Sequence, residues 1–258
     1  HHRNDSISER PFNQEEQNIV SDALMLLKRF EGVPQFDWLM DIDKKLYSTS
    51  QLGKDVHSVV SFQHNPYLKG MDKDYYKQIF DAIVNRQALE ICYHPFGKEA
   101  KELEVSPYHL KQYNNRWFLI GKQSDFTRLT NYAIDRIDGV KELGRKKFKP
   151  LDEDFNFDEF FEDVIGVSVE NVPIEDVVIY ANEKAFNYIY TKPLHESQVA
   201  RNERSEDGRR IITLQVKDNY ELRALLRSFG SQIEVIKPAS LREKMKEEAD
   251  ALSKMYAD

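Results

Sequence analysis

The chain has almost no cysteine: Cys92 is the only one in 258 residues. A single thiol excludes an intrachain disulfide framework and a multi-cysteine metal site. Cys92 lies in Leu89-Glu90-Ile91-Cys92-Tyr93, which alternates like a strand, so a buried, reduced thiol is expected, as in a cytoplasmic protein. Long apolar runs are also missing. None approaches the roughly 18–20 residues that cross a bilayer, and no signal-peptide pattern opens the chain. No membrane role is expected. The ten glycines stand singly, mostly at turns. There is no Gly-x-Gly-x-x-Gly and no Walker loop, which removes the usual phosphate-cradling loops. The seven histidines form no HxxxH or HxH pair, so no zinc or two-histidine site is expected. A Ser-centred nucleophile elbow is absent. The acid pairs Asp152–Asp154 and Glu162–Asp163 read as solvated carboxylates. No catalytic residue, metal or cofactor is expected, and the chain reads as a non-enzyme.

What the sequence does have is unevenly placed charge and many aromatics. Charged residues make up 31% and aromatics 12%, with a net charge of −7. That balance speaks against a strong duplex-DNA binder, because phosphate contacts need a basic face. Residues 88–149 carry 12 Lys/Arg against 8 Asp/Glu, residues 150–176 carry 10 acids and no base, and residues 177–258 carry 14 against 13. A moderately basic unit is thus followed by an acidic linker (151–176) and a near-neutral C-terminal part. The acidic stretch reads either as solvated chain or as a screen that competes for the basic face.

Periodicity divides the chain further. His1–His2 read as a tag remnant within a short leading segment, residues 1–5, that is such a remnant or disordered. Asn13 and Glu16 make a capping box, and Ile19, Val20, Ala23, Leu24, Leu27 and Phe30 follow at helical spacing, stopped by Gly32 and Pro34. A shorter helix is expected over 36–46, then turns at Asn65-Pro66 and Lys69-Gly70. Residues 1–72 therefore read as a helical connector or dimerisation segment. A helix over 75–87, with Tyr76, Ile79, Phe80 and Ile83 on one face, leads into period-two strands at 88–94, 99–106, 108–114, 116–122, 127–134 and 137–142. Many short strands in so few residues suggest a small barrel or curled sheet. From Val177 the order is β-α-β-β-α-β, a ferredoxin-like arrangement. A final helix with Ser240 and Glu243 as a capping box carries an apolar stripe of Leu241, Met245, Leu252 and Met255, which reads as packing on its own domain, with a partner subunit as the alternative. The fold class is α+β.

One segment is distinctive: Ser106-Pro107-Tyr108-His109-Leu110-Lys111-Gln112-Tyr113-Asn114-Asn115-Arg116-Trp117-Phe118-Leu119-Ile120-Gly121, followed by Asp135-Arg136-Ile137. It resembles the WYL domain family over residues 73–150. The name-giving Trp-Tyr-Leu is Trp117-Phe118-Leu119 here, which lacks one hydroxyl. Leu194-His195-Glu196-Ser197-Gln198, Ser228-Phe229-Gly230, Glu234-Val235-Ile236-Lys237-Pro238 and Leu241-Arg242 resemble the C-terminal extension of WYL regulators, residues 177–258. Asn65-Pro66-Tyr67-Leu68-Lys69-Gly70 looks most like versions from the Bacteroides group.

The resemblance implies a bacterial transcription regulator, cytoplasmic and homodimeric, with an Sm-like/SH3-like barrel that binds a nucleotide or single-stranded nucleic acid signal. Duplex DNA would be read only through an N-terminal helix-turn-helix, and the first 70 residues show no such pattern. By the same resemblance Arg136 faces the ligand surface. A guanidinium grips a phosphate bidentately or stacks on a base; the alternative is a surface ion pair with Asp135 or Asp138. The family's second Arg is Thr130 here, and Arg128, two residues earlier, is the expected stand-in on the same strand face. Arg116, Tyr93, His94, Tyr113, Tyr132 and Trp117 complete the candidate ligand-binding set, since aromatics interleaved with cations suit single strands. Arg145-Lys146-Lys147 with Lys149 reads as a solvated basic loop. Two other readings remain: a stand-alone RNA or single-strand binding module, and a purely structural dimerisation fragment.

Overall fold

Two runs of period-two sequence, one on each side of the acidic stretch, build two antiparallel sheets. The structure is a computed structural model that describes residues 75–257, together with Asn13, Glu16 and Ile19. Glu16 N donates to Asn13 Oδ1 at 2.9 Å and Asn13 N donates to Glu16 Oε2 at 2.8 Å, the reciprocal bonds of the expected capping box. The rest of that helix, the helix over 36–46, the turns at 65–70 and the helix-turn-helix question lie outside the described residues. The chain divides into two compact units, ending and beginning at Pro150 and Leu151.

In the first unit, helix α1 (Tyr75–Asn85) buries Tyr76, Ile79 and Ala82. Phe80, expected on that face, is 41% exposed, and the inward stripe runs at a spacing of three instead. Arg86, with φ of 52°, closes the helix in the left-handed conformation. Five strands follow: β1 (Ala88–Tyr93), β2 (Lys101–Tyr113), β3 (Arg116–Gln123), β4 (Thr130–Ala133) and β5 (Ile137–Gly144). Their order in the sheet is β4-β3-β2-β1-β5. The two outer strands are therefore joined by only three residues, Ile134–Arg136, which form a 3-10 turn. In a flat sheet the outermost of five strands stand about 19 Å apart, whereas that link reaches roughly 14 Å at full stretch. The sheet must curl, and Ile79, Leu89, Ile91, Val105, Leu119, Tyr132, Ile134 and Ile137 fill its inside.

One detail of the strands departs from the pattern reading. The strands expected at 99–106 and 108–114 are one long strand, β2, which carries Pro107 at a register shift against β3. A proline has no N–H to give a ladder, and a bulge absorbs the missing bond. Directly opposite, Gly121 pairs with Pro107. A Cβ on Gly121 would stand 2.5 Å from Val105 Cγ1 and 3.0 Å from the Ser106 carbonyl oxygen. Gly121→Ala is thus expected to cost about 1–3 kcal/mol through overpacking, read as a lower urea midpoint with an unchanged slope.

In the second unit the elements are α2 (Phe157–Phe161), β6 (Ile174–Ala181), α3 (Glu183–Thr191), β7 (Val199–Arg204), β8 (Arg210–Lys217), α4 (Tyr220–Arg227), β9 (Ile233–Lys237) and α5 (Ala239–Met255). The sheet order is β7-β8-β6-β9, every pairing antiparallel. Val177, Ile179, Ile212, Leu214 and Val216 line the sheet's inner side, and Phe186, Ile189, Leu222, Leu226 and Leu241 come down on it from the helices. The acidic stretch joins this unit. Phe161, Val164, Ile165 and Val167 are buried, and Ile165 belongs to the sheet's core cluster.

Asn219 holds that stretch in place. It is fully buried. Its Oδ1 accepts from Leu222 N at 2.7 Å, capping α4, while its Nδ2 donates to the carbonyls of Ile165 at 2.8 Å and Ser168 at 2.9 Å. Between those carbonyls Gly166, at φ +88°, lies where a Cβ would meet Glu221 Cγ at 2.6 Å. The last helix begins one residue before the expected cap: Pro238 is the N-cap and makes no side-chain bond, so Ser240 lies within the first turn. Of its apolar stripe, Leu241 is buried and Met245 partly so, whereas Leu252 and Met255 are 56% and 80% exposed.

Candidate ligand-binding site

The end of β1 meets the 3-10 turn that joins the outer strands. His94 N donates to the Arg136 carbonyl at 2.9 Å, tying the two together. Beyond His94 the chain reverses: Lys98 N donates to the Pro95 carbonyl at 3.2 Å. Gly97 sits third in that turn with φ +69°, the conformation a type II turn requires and glycine supplies. Phe96 is left at the tip, 71% exposed. The Arg136 Cζ stands 3.6 Å from the centroid of the Phe96 ring, a cation–π contact.

The carboxylates beside Arg136 lie nearer to other side chains. Asp135 Oδ1 is 3.3 Å from Arg116 Nε, and Asp138 Oδ2 is 3.7 Å from His94 Nδ1. Among the described residues Arg136 forms no ion pair, and its Nε is buried without a hydrogen-bond partner. The ion-pair alternative for Arg136 is therefore corrected: the nearby acids face Arg116 and His94.

Behind this corner Tyr93 and Tyr132 meet edge to face, with centroids 5.2 Å apart. Tyr132 is 3% exposed, and burial pushes its hydroxyl up from 10 to about 12. The unfolded chain then ionises first as pH rises, so native stability is intact below pH 10 and falls between about 10 and 12, by up to about 3 kcal/mol. Tyr132→Phe is expected to blunt that alkaline loss, read from urea unfolding at pH 9 and above.

The remaining candidates scatter. Arg116 opens β3 and pairs in register with Tyr113 across a tight hairpin whose turn residues, Asn114 and Asn115, both have positive φ. Trp117 lies edge to face with Tyr76 at 4.8 Å and packs against the first unit's core. Arg128 is exposed in the loop before β4, which starts only at Thr130. It does not share Thr130's strand face as expected, because no partner strand pairs that stretch. Cys92 is half-buried. It is thus less buried than its alternation suggests, and burial, then a hydrogen bond and charge from Glu102, push its thiol up.

The basic cluster is anchored rather than free. Tyr108 donates its hydroxyl to the Lys149 carbonyl at 2.5 Å, Lys149 N donates to Ser106 Oγ, and Lys149 Nζ donates to the Ser124 carbonyl. Lys147 Nζ donates to Glu104 Oε2 at 2.8 Å. Two of these cations are already engaged within the unit.

The structure thus gathers Arg136, His94, Tyr93 and Tyr132 at one corner, links Arg116 through Asp135, and leaves Arg128 in a loop. Phe96 was missed. It sits in Pro95-Phe96-Gly97-Lys98, and a turn sequence does not say what its tip touches. Among the described residues no cluster of His, Cys, Asp or Glu is placed to hold a metal, and no helix is long and apolar enough to cross a membrane.

No curated protein matches the chain. It is similar to the solved structure of proteasome accessory factor B/C (PafBC) of Arthrobacter aurescens, at 17% identity and a TM-score of 0.31, with 66% of this chain and 25% of that one covered. It is also similar to the crystal structure of a CRISPR Cas-related protein, at 14% identity and a TM-score of 0.45, with 72% and 54% covered. The chain spans about a quarter and about half of those two lengths. The family models are more direct. The WYL domain model matches residues 74–142, from α1 to β5 and across the Arg136 corner, and the WCX domain model matches residues 173–253, from β6 into α5. The chain thus carries a WYL domain followed by a WCX domain, which together cover more than half of its length.

Proposed function

We propose that this chain is the sensing and dimerisation portion of a bacterial, cytoplasmic transcription regulator. Its WYL domain binds a nucleotide or single-stranded nucleic acid, and the ligand's phosphate is taken by Arg136. The curled five-stranded sheet supports an Sm-like barrel for the first domain, and the order β7-β8-β6-β9 supports a ferredoxin-like second domain. The observation that carries the reading is the state of Arg136. It is a guanidinium held by a ring instead of a carboxylate, inside the WYL match. An arginine without an acid partner keeps its attraction for an anion, and its planar fork suits phosphate. His94 is bonded to the Arg136 carbonyl, and Arg116 lies against the neighbouring Asp135. The second domain and the N-terminal helices would supply the homodimer, and duplex DNA would be read only through a helix-turn-helix that this sequence does not show.

The test is direct titration of purified protein with mononucleotides and a labelled short oligothymidylate by fluorescence anisotropy at two salt concentrations. Saturable binding that weakens with salt is expected, since phosphate contacts release counterions. No binding of any probe at low salt would leave the sensing role without support.

A further inference from the structure

Phe96 belongs to no motif and to none of the contacts expected of the site. It is a large apolar ring carried on a two-residue turn tip and left 71% exposed. An unconstrained aromatic there would have little reason to keep one position. Three features fix it. The type II turn is set by Gly97. The turn's base is bonded to the Arg136 carbonyl through His94 N. One face of the ring is covered by the Arg136 guanidinium at 3.6 Å. A flat ring with one face backed by a cation and the rest in water is a stacking surface.

We propose that Phe96 is the platform on which a single nucleobase stacks, with Arg136 pinned behind the ring as the group that takes the adjoining phosphate. This rests on the reading of the domain as a single-strand or nucleotide sensor and deepens it. It divides the labour at the corner. Arg136 already has one face against Phe96, so the base goes to the outer face of Phe96. The guanidinium edge then remains for the backbone, which is how sequence-tolerant single-strand sites pair an aromatic with a cation. The cation behind the ring draws density from it, which favours a neutral, polarisable base over a second cation on the outer face.

The experiment compares the wild-type chain with Phe96→Leu and Phe96→Trp. The probes are a labelled short oligothymidylate and the same strand with abasic sugars, both read by anisotropy. Phe96 is exposed, so both variants are expected to fold, with circular dichroism as the check. Phe96→Leu is expected to weaken oligothymidylate binding about 30-fold, the middle of the range for loss of one stacked base, and Phe96→Trp to preserve or tighten it. The abasic strand is expected to bind wild type about as weakly as oligothymidylate binds Phe96→Leu, and to be indifferent to either substitution. Oligothymidylate binding unchanged by Phe96→Leu would overturn the platform while leaving the sensor reading standing. No oligothymidylate binding to the wild-type chain would overturn both.

Discussion

Asn219→Ala is expected to lower the unfolding free energy by about 3 kcal/mol or more, because one side chain serves three hydrogen bonds in a dry place. Its oxygen caps α4 through Leu222 N, and its amide satisfies the Ile165 and Ser168 carbonyls. Losing a cap costs about 1 kcal/mol, and each buried acceptor left unpaired adds about 1–3 kcal/mol. Asn219→Asp separates the two roles. A carboxylate still accepts from Leu222 N, but it sets negative oxygens against two carbonyls. At neutral pH it is expected to be no better than alanine. As pH falls and the acid protonates, one donor returns and part of the loss is recovered. Denaturant unfolding checks both variants, and amide exchange over 161–168 locates the damage. A change below about 1 kcal/mol in both variants would mean that the acidic stretch is held by its buried apolar residues and not by this hook.

The largest functional effect is expected from Arg136. Arg136→Ala removes a charge-assisted contact of about 1.5–3 kcal/mol, a loss of roughly 10- to 150-fold in affinity for a phosphate-bearing probe. Arg136→Lys is expected to fall between, since an ammonium keeps the charge but neither the fork nor the flat face that lies on Phe96. Folding should be little altered, because the side chain makes no ion pair among the described residues. The same anisotropy titration reads the effect. Equal affinities for wild type, Lys and Ala variants would remove Arg136 from the site, and with it the chief support for sensing.

The elements themselves were largely legible, because core spacing is a strong signal. α1, β1, β3 and β5, and the β-α-β-β-α-β run after the acidic stretch, stand close to where periodicity places them. The misplacements share a cause: each turned on pairing or burial that sequence spacing does not carry. Pro107 looks like a boundary, yet β2 runs through it because Gly121 opposite lets the chains approach. Arg128 looks like part of a strand, but β4 has a partner only from Thr130. The acidic stretch looks solvated by its charge, while four of its apolar residues are buried and Asn219, far along the chain, binds its backbone. At the corner, His94 is bonded to the Arg136 carbonyl and Tyr93 meets Tyr132 edge to face. Arg116 reaches them only through Asp135, and Trp117 lies against α1. Phe96 was invisible because its significance is a contact forty residues away.

The three-residue link between β4 and β5 has one more consequence. An open sheet has two rows of unpaired backbone groups along its outer strands, and such rows recruit other chains. Here the strands that would expose them are tied by Ile134–Arg136, so the chain itself keeps both rows from drifting apart. The turn that carries Arg136 therefore also limits how far apart the two sheet edges can stand. An insertion at this point would relax that limit and let the sheet uncurl.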